Sequence, residues 1–465
     1  MTDRHMTSAE LRARGHQMID WVADYLDGVE ELSVLSQVEP GWVTAQLPSN
    51  PPDKGESFDA VIADLDRIVL PGLTHWQSPR FFAYFPANTS GPSILGELAA
   101  AGLGVQGMLW ATSPACTELE TVVVDWVAQL LDLPERFRMG GPGGGVIQDS
   151  ASSSALVALL AARDRARARG TALDDLVVYV SSQTHSSLVK GARIAAIPNL
   201  RTVEVDGSFA MWPGALAKAM DDDVAAGRVP AMVCGTVGTT ASHAIDPLAA
   251  IGDLCHRHQA WFHVDAAHLG IAGMCREMAW VNHGLEHADS YNTNAHKWLF
   301  TNFDCSLMWV ADRAPVLESL SILPDYLRNQ ATESGAVIDY RDWQVPLGRR
   351  FRALKLWMVM RHYGADGLRH HLREHLALAA DLASRFEADP RFELAAPVPA
   401  TLLCVRLAAG DEASRELLDA INQTGRAYLS HAVLDDRHVI RVSIGSTLTT
   451  RRHVDDLWSL FDKLA

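Results

Sequence analysis

Residues 231–236 and 261–264 are short apolar runs, and between them residues 247–259, opened by Asp246-Pro247, fit a single helix. Strand, helix and strand within about thirty residues make a crossover unit, which joins parallel neighbours. Further β-branched runs at 176–180 and 202–205 alternate with helical stretches over residues 86–370. Repeated units of this kind build an α/β sheet, mostly parallel, with helices on both faces. That architecture places ligands beyond the carboxyl ends of its strands.

The flanking segments read differently. In residues 1–85, Thr7 and Glu10 have capping-box spacing, and Leu11, Met18, Ile19, Val22 and Leu26 recur at helical intervals. A turn-rich connector follows from Glu39 to Asp53, then a second amphipathic run, Phe58 to Val69, stops at Pro71-Gly72. This helical segment has little of its own to bury against, so it is expected to pack on something else, a second subunit being the natural choice. Residues 371–465 begin in a helical run (372–386) and continue into strands near 402–407 and 439–443, a small α+β domain.

Charge and cysteine usage exclude several functions. Forty basic against fifty-six acidic residues leave a net charge of −16. A surface this acidic repels nucleic-acid phosphates and anionic lipid. The six cysteines contain no C-x-x-C pair, which leaves neither a disulfide framework nor a zinc ribbon. No run resembles a signal peptide or reaches the ~18–20 apolar residues of a membrane span. The expectation is a soluble cytoplasmic protein that binds neither nucleic acid nor membrane.

The chemistry-bearing residues cluster at strand ends. Asp265 stands where the run 261–264 stops, and small Ala266 and Ala267 after it leave room for something flat. Taken alone, Asp265 fits a helix cap equally well. His263, Asp265 and His268 have a metal-like look, but His268 lies past the strand end and no H-E-x-x-H occurs. No metal is expected, and His371 and His375 read as helix-surface residues. Lys297, between His296 and Trp298, is unusual because lysine mostly sits on solvated surface; partly desolvated, it becomes a nucleophile for carbonyl carbon. Gln148 to Ser154 precedes a helix over 155–163, and small hydroxyl residues at a helix N-terminus suit an anion. Ordinary serine capping explains the same residues. The glycine run 140–145 lacks the P-loop lysine and reads as a flexible loop. His185 follows the strand 176–180 at the same sheet edge. A lysine, an acid for a pyridine nitrogen and a phosphate cradle are together what pyridoxal-phosphate chemistry requires.

Longer stretches carry a resemblance. His75-Trp76-Gln77-Ser78-Pro79, Phe82-Ala83-Tyr84-Phe85-Pro86, Ser113-Pro114-Ala115-Cys116-Thr117-Glu118-Leu119-Glu120, the His185 motif, His263-Val264-Asp265-Ala266-Ala267, His296-Lys297-Trp298, Asn302-Phe303-Asp304-Cys305-Ser306 and Pro346-Leu347-Gly348-Arg349-Arg350-Phe351 are similar, in order and nearly end to end, to the group II pyridoxal-phosphate decarboxylases. The likeness is strongest to the aromatic-L-amino-acid decarboxylases. It implies a fold-type I, aspartate-aminotransferase-like subunit acting as a homodimer with sites at the subunit interface. It implies Lys297 as the Schiff-base lysine, Asp265 as partner of the pyridine nitrogen and His185 as the ring stacked on the cofactor. Ala151, Ser152, Thr240, Ala267, Asn294 and His296 would complete the cofactor site. Tyr326, at the start of a polar stretch (328–335) that reads as a mobile loop, would return a proton to the carbon that loses CO2.

The implied reaction is decarboxylation of an aromatic L-amino acid to its amine. Trp76, Tyr84, Phe85, Ala87, Gln106, Met108 and Gly348 are the implied substrate residues. Ala87 stands where relatives often carry a hydroxyl, and Gln106 and Met108 where the closest animal enzymes carry apolar and aromatic side chains. A lost hydroxyl weakens recognition of ring hydroxyls, and Gly348 leaves space for an indole, so tryptophan or phenylalanine is expected ahead of DOPA. Three other enzyme readings stay open. An oxygen-consuming aldehyde synthase is opposed by Tyr326 and His185. An acidic amino acid decarboxylase is opposed by the aromatic set. A metal-dependent hydrolase would use His263, Asp265 and His268. A non-catalytic binding module would tolerate replacement of Lys297.

Overall fold

The strands that the sequence marks as unbroken apolar runs form the middle of one sheet. A computed structural model of the chain describes residues 5–322 and 337–465. Strands β1 (Gly144–Gln148), β2 (Leu176–Ser181), β3 (Asn199–Val203), β4 (Val229–Thr236), β5 (Trp261–Asp265), β6 (Ser290–Asn294) and β7 (Ser306–Val310) lie in the order β1-β7-β6-β5-β4-β2-β3. The pairs from β3 through β6 are parallel, and only β7 runs antiparallel, to both β6 and β1. This is the fold-type I arrangement.

Burial on both faces explains why these strands do not alternate polar with apolar residues. In β2, Val177 and Tyr179 join one core with helices α3 (Pro114–Leu130), α5 (Leu248–His258) and α6 (Arg352–Ala388). Leu176, Val178 and Val180 point the other way, into a core with α4 (Ala151–Ala168). Helix α6, broken at Gly364 (φ +63°), runs through the expected domain boundary at residue 370. Its Leu356 and Val359 belong to the large-sheet core, while its Leu382 and Phe386 belong to a third core. That third core underlies an antiparallel sheet, β10-β11-β9-β8, of β8 (Phe392–Leu394), β9 (Leu402–Leu407), β10 (Ser430–Leu434) and β11 (Arg437–Ser443).

The N-terminal helix α1 (Ser8–Gly28) starts at the expected capping box, in which the Thr7 amide donates to Glu10 Oε2 at 2.8 Å. None of its residues is buried, and its Leu11 and Ile19 are exposed. Among the described residues, no helix is long and apolar enough to cross a membrane.

Three expectations need correction. The glycine run is no flexible loop: Gly144 and Gly145 are in β1, where a Cβ on Gly145 would collide with Val124 and the Trp309 ring. Gly143, Gly144 and Gly145 are pressed by their neighbours, whereas a Cβ at Gly140 would meet nothing within 4 Å. His375 is buried rather than on a helix surface, and it accepts a hydrogen bond from Trp298 Nε1 at 3.0 Å. The strand expected at 202–205 lies at Asn199–Val203, and Val205 makes only an isolated bridge to Met211.

Candidate active site

The parallel strands β4, β5 and β6 bring their carboxyl ends level, with Thr236 beside Asp265 and Asp265 beside Asn292. Asp265 ends β5. Its Oδ1 accepts from the Asn292 side-chain amide at 3.1 Å and from the Ala267 backbone at 3.1 Å. The turn after β5 is pinned to the next strand, because the Asn294 amide donates to the Ala267 carbonyl at 3.0 Å. A single helical turn, Ala295–Trp298, then carries Lys297. Small residues at 266 and 267 are therefore what lets the chain cross in front of the sheet.

These residues share one cavity of about 200 Å³. Lys297, Asp265, Ala267, Asn294, Thr240 and His185 line it, with Ala151 and Ser152 from the start of α4. Ser150 caps that helix, its Oγ accepting from the Ser153 amide at 3.3 Å. The first-turn N–H groups thus present the positive end of a long helix to the cavity. Phe85, Ser150, Thr236, Gly238 and His268 complete the wall; Ser150 belongs to the anion-suited stretch 148–154, whereas Thr236, Gly238 and His268 are not among the cofactor residues expected from the sequence. Thr236 and Gly238 carry a signal in the sequence, lying within the small-residue run 234–240 at the end of β4.

Burial weakens the hold of the site's nitrogen bases on their protons. Burial lowers the Lys297 pKa; Asp265 pulls it back up and Arg441 pushes it further down. Burial likewise lowers His185, with Asp265 opposing and Lys297 adding. His185 Nδ1 accepts from the Ser187 amide at 3.2 Å, which leaves Nε2 as the protonated nitrogen of the neutral ring. His268 is stacked against Phe85 at 4.0 Å and against Trp298 at 5.0 Å, with Nδ1 3.3 Å from His243 Nε2. Burial holds His268 well below its ordinary pKa. Stacked in this way its ring forms part of the wall, while His263 Nδ1 lies 2.8 Å from Ser290 Oγ.

Other expected residues lie elsewhere. His296 does not line the cavity; its Nδ1 accepts from the Cys305 amide at 2.9 Å. Trp76 and Tyr84 are 38% and 48% exposed and stack on each other at 5.7 Å, outside the cavity. The Ala87 carbonyl accepts from Gln77 at 2.6 Å. Gln106 Oε1 accepts from the Arg349 amide at 2.8 Å, and a Cβ on Gly348 would lie 3.2 Å from Gln106 Nε2. The Met108 carbonyl accepts from the Arg341 amide at 3.2 Å. Gln106 and Gly348 thus lie together, and neither they nor Met108 line the Lys297 cavity. Tyr326 and the stretch 328–335 lie outside the described residues.

Residues 40–408 match the family model of the pyridoxal-dependent decarboxylase conserved domain. The chain belongs to that family. It is 48% identical to phenylacetaldehyde synthase of Arabidopsis thaliana, over 99% of this chain and 96% of the relative. It is 46% identical to tryptophan decarboxylase 2 of Oryza sativa subsp. japonica, over 98% and 95%. A crystal structure of Oryza sativa TDC with PLP and tryptamine superposes with a TM-score of 0.98 at 41% identity, covering 100% of this chain and 99% of that one. The protein is accordingly a pyridoxal-phosphate-dependent carboxy-lyase, of the class that holds aromatic amino acid decarboxylases and aldehyde synthases.

The cavity suits the family's cofactor on its own terms. Thr236 Oγ1, Asn294 Oδ1 and His268 Nε2 are buried polar atoms on its lining residues with no hydrogen-bond partner among the described residues. Such atoms call for a polar ligand. An amine, a fixed carboxylate and a helix N-terminus face the same space, matching the aldehyde, ring nitrogen and phosphate of pyridoxal phosphate.

Proposed function

We propose that this decarboxylase converts an aromatic L-amino acid to its amine and CO2, with tryptophan or phenylalanine preferred to DOPA. The observation that carries the reading is that Lys297, Asp265 and the start of α4 line one cavity. Pyridoxal phosphate, when bound, supplies a carbonyl for amines and a ring that takes up the electron pair of a broken bond.

Lys297 is the amine that holds the cofactor, and its lowered pKa leaves more of it neutral and nucleophilic. Asp265, its carboxylate fixed by Asn292 and the Ala267 amide, keeps a proton on the pyridine nitrogen. His185 presents a neutral ring for stacking. Ala151, Ser152, Thr240, Asn294 and His296 serve the phosphate and the ring position, His296 acting through the backbone it fixes at Cys305. Phe85 and His268 form an apolar, aromatic wall beside the amine, with Lys297 Nζ 5.2 Å from the Phe85 ring centre. Tyr326 returns the proton to the carbon that has lost CO2.

For the substrate, Ala87 offers no hydroxyl to a catechol ring. A site without such a group discriminates weakly for ring hydroxyls. Trp76, Tyr84, Gln106, Met108 and Gly348 are proposed to meet the substrate in a homodimer whose sites lie at the interface. The uncovered stripe of α1 supports that assembly, with residues 1–85 packing on the partner subunit. The cytoplasm is the proposed compartment, in keeping with the acidic charge.

One second reading has a specific observation in its favour. The 48% identity to a phenylacetaldehyde synthase supports a reaction in which the amino acid, O2 and water give aldehyde, CO2, ammonia and hydrogen peroxide.

The test is to supply the purified holoenzyme with tryptophan, phenylalanine, tyrosine, DOPA and glutamate, following amine, CO2 and peroxide together. Equal amine and CO2 without peroxide, lost in Lys297→Ala, is the expected result. Stoichiometric peroxide with aldehyde would establish the second reading. A higher kcat/KM on DOPA than on tryptophan and phenylalanine would overturn the substrate assignment.

A further inference from the structure

Lys297 has to offer its amine at the same point in every turnover, yet the helical turn that carries it is only Ala295–Trp298. A turn this short cannot give all its carbonyls helical partners. The orphaned carbonyls of His296 and Lys297 are taken instead by one residue from a distant part of the chain. The Asn88 backbone N–H donates to the His296 carbonyl at 3.0 Å. Asn88 Nδ2 donates to the Lys297 carbonyl at 2.7 Å and to the Gly445 carbonyl at 2.7 Å. On the other side, Asn88 Oδ1 accepts from the Thr447 amide at 2.9 Å and lies 3.0 Å from the Thr447 hydroxyl. Asn88 is 2% exposed, so these contacts stand without competition from water.

The carboxamide is fully engaged: both its hydrogens are donated, and its oxygen accepts from the Thr447 amide and faces the Thr447 hydroxyl, which also lies 2.8 Å from the Thr89 carbonyl. Its orientation is also fixed, since turning it over would set oxygen against two carbonyls and nitrogen against the Thr447 N–H. The loop that closes on it comes from beyond β11, and the approach is tight. A Cβ on Gly445 would lie 3.1 Å from Pro86 and 3.5 Å from Trp298.

We infer that Asn88 is a positioning residue for Lys297, tying the backbone that carries the lysine to the loop 445–447 of the C-terminal sheet. The inference rests on the reading of Lys297 as the cofactor's amine. Asn88, Gly445 and Thr447 do not line the cavity; only Lys297, at the end of the tie, does. Its effect passes through the lysine's backbone, which sets the origin from which a long, freely rotating side chain reaches.

Three variants separate positioning from mere packing. Asn88→Asp keeps the shape and the acceptor for Thr447 but puts oxygen against two carbonyls. Asn88→Ser removes the reach to both carbonyls with little steric demand. Thr447→Val removes the hydroxyl, with its contacts to Asn88 Oδ1 and to the Thr89 carbonyl at 2.8 Å, and leaves the lysine's side of the tie intact. In the folded holoenzyme, Asn88→Asp and Asn88→Ser should lower kcat between about 10- and 100-fold, the scale of a misplaced reacting group, with KM nearly unchanged. Both should also shift the absorbance-monitored pH titration of the cofactor bound to Lys297, while Thr447→Val moves neither readout.

Hydrogen exchange on the same proteins should speed up at residues 295–299 in the two Asn88 variants alone. An unchanged titration and kcat in a folded Asn88→Ser protein would overturn the inference, as would failure of both Asn88 variants to fold. Borohydride reduction and peptide mapping of the unsubstituted protein test the underlying reading separately. Cofactor absent from Lys297 would sink that reading, and the exchange result would then judge the tie alone.

Discussion

Asn292 donates its side-chain amide to Asp265 Oδ1 at 3.1 Å, and the two residues sit in register on adjacent parallel strands. The carboxylate orientation is thus set by the sheet itself rather than by a loop. A side chain held by strand register has little freedom, which is the condition for a preorganised charge to act on a reacting group.

Asp265→Asn is isosteric and removes only the charge. It should lower kcat by about 10²-fold or more, the scale on which a single preorganised group counts. Asn292→Ala leaves the charge but frees its orientation, so a smaller loss is expected, with KM little changed. Steady-state amine release on both variants, with circular dichroism to check the fold, decides the matter. Full activity in Asp265→Asn would remove the carboxylate from the mechanism.

How much of this was legible in the sequence depended on whether a residue's partner was near in the chain. Asp265, Lys297 and the serines before α4 could be read because each sits at the end of a recognisable element, and sheet topology alone brings such ends together. His268 and His243 could not, since their stacking and pairing follow from how separate loops pack, and histidine on its own carries no direction. The glycines of β1 were misread for a related reason. Glycine reports either a need for unusual backbone angles or a lack of space, and a sequence does not distinguish the two. His375 was misread because the helical period marks a buried face only when the neighbouring element is known, and its neighbour, Trp298, is 77 residues away.

The fold buries neutral histidines, and this sets its response to acid. Burial lowers His243 and His296 to about 3 and His263 and His375 to about 4, from a model-peptide value of 6.5. In the unfolded chain these rings take up protons near pH 6.5, while in the fold they do not. Protons therefore favour unfolding as the pH drops from about 6.5 toward 4; the stability is complete above that window and declines through it. The thermal midpoint should fall steeply between pH 6.5 and 5 and be nearly flat from 7 to 8. His375→Gln, which can still accept from Trp298, should show a shallower fall. A flat profile down to pH 5 would contradict the buried neutral rings.

Arg349 and Glu120 form an ion pair in which both side chains are 1% exposed. Arg349 also donates to the carbonyls of Tyr340 at 3.1 Å and Ile147 at 3.2 Å, and Glu120 accepts from the Ile147 amide at 2.8 Å. The pair thus joins α3, β1 and the segment that positions Gln106. Removing one partner strands a buried charge, at a cost of about 3–5 kcal/mol. Arg349→Met should be the more damaging change, because it leaves the buried Glu120 carboxyl with only a backbone donor. Glu120→Gln keeps an acceptor for both partners and should cost less. Denaturant midpoints rank the two, and the reverse order would show that the arginine's carbonyl contacts matter more than its charge partner.

The glycines of β1 give a prediction about space alone. A Cβ at Gly145 would press on Val124 and the Trp309 ring, whereas one at Gly143 would strike the backbone carbonyls of Val310 and Arg136. Side chains can shift, but the backbone carbonyls of Val310, in β7, and of Arg136, in the 3-10 turn Glu135–Phe137, have less freedom. Gly145→Ala should therefore lower stability by about 1–3 kcal/mol, the range for overpacking, and Val124→Ala in the same chain should return part of it. Gly143→Ala has no such remedy and should yield little folded protein. Thermal midpoints of the two single variants and the Gly145→Ala/Val124→Ala pair carry the test. Full stability in Gly143→Ala would mean that the run is glycine for flexibility after all.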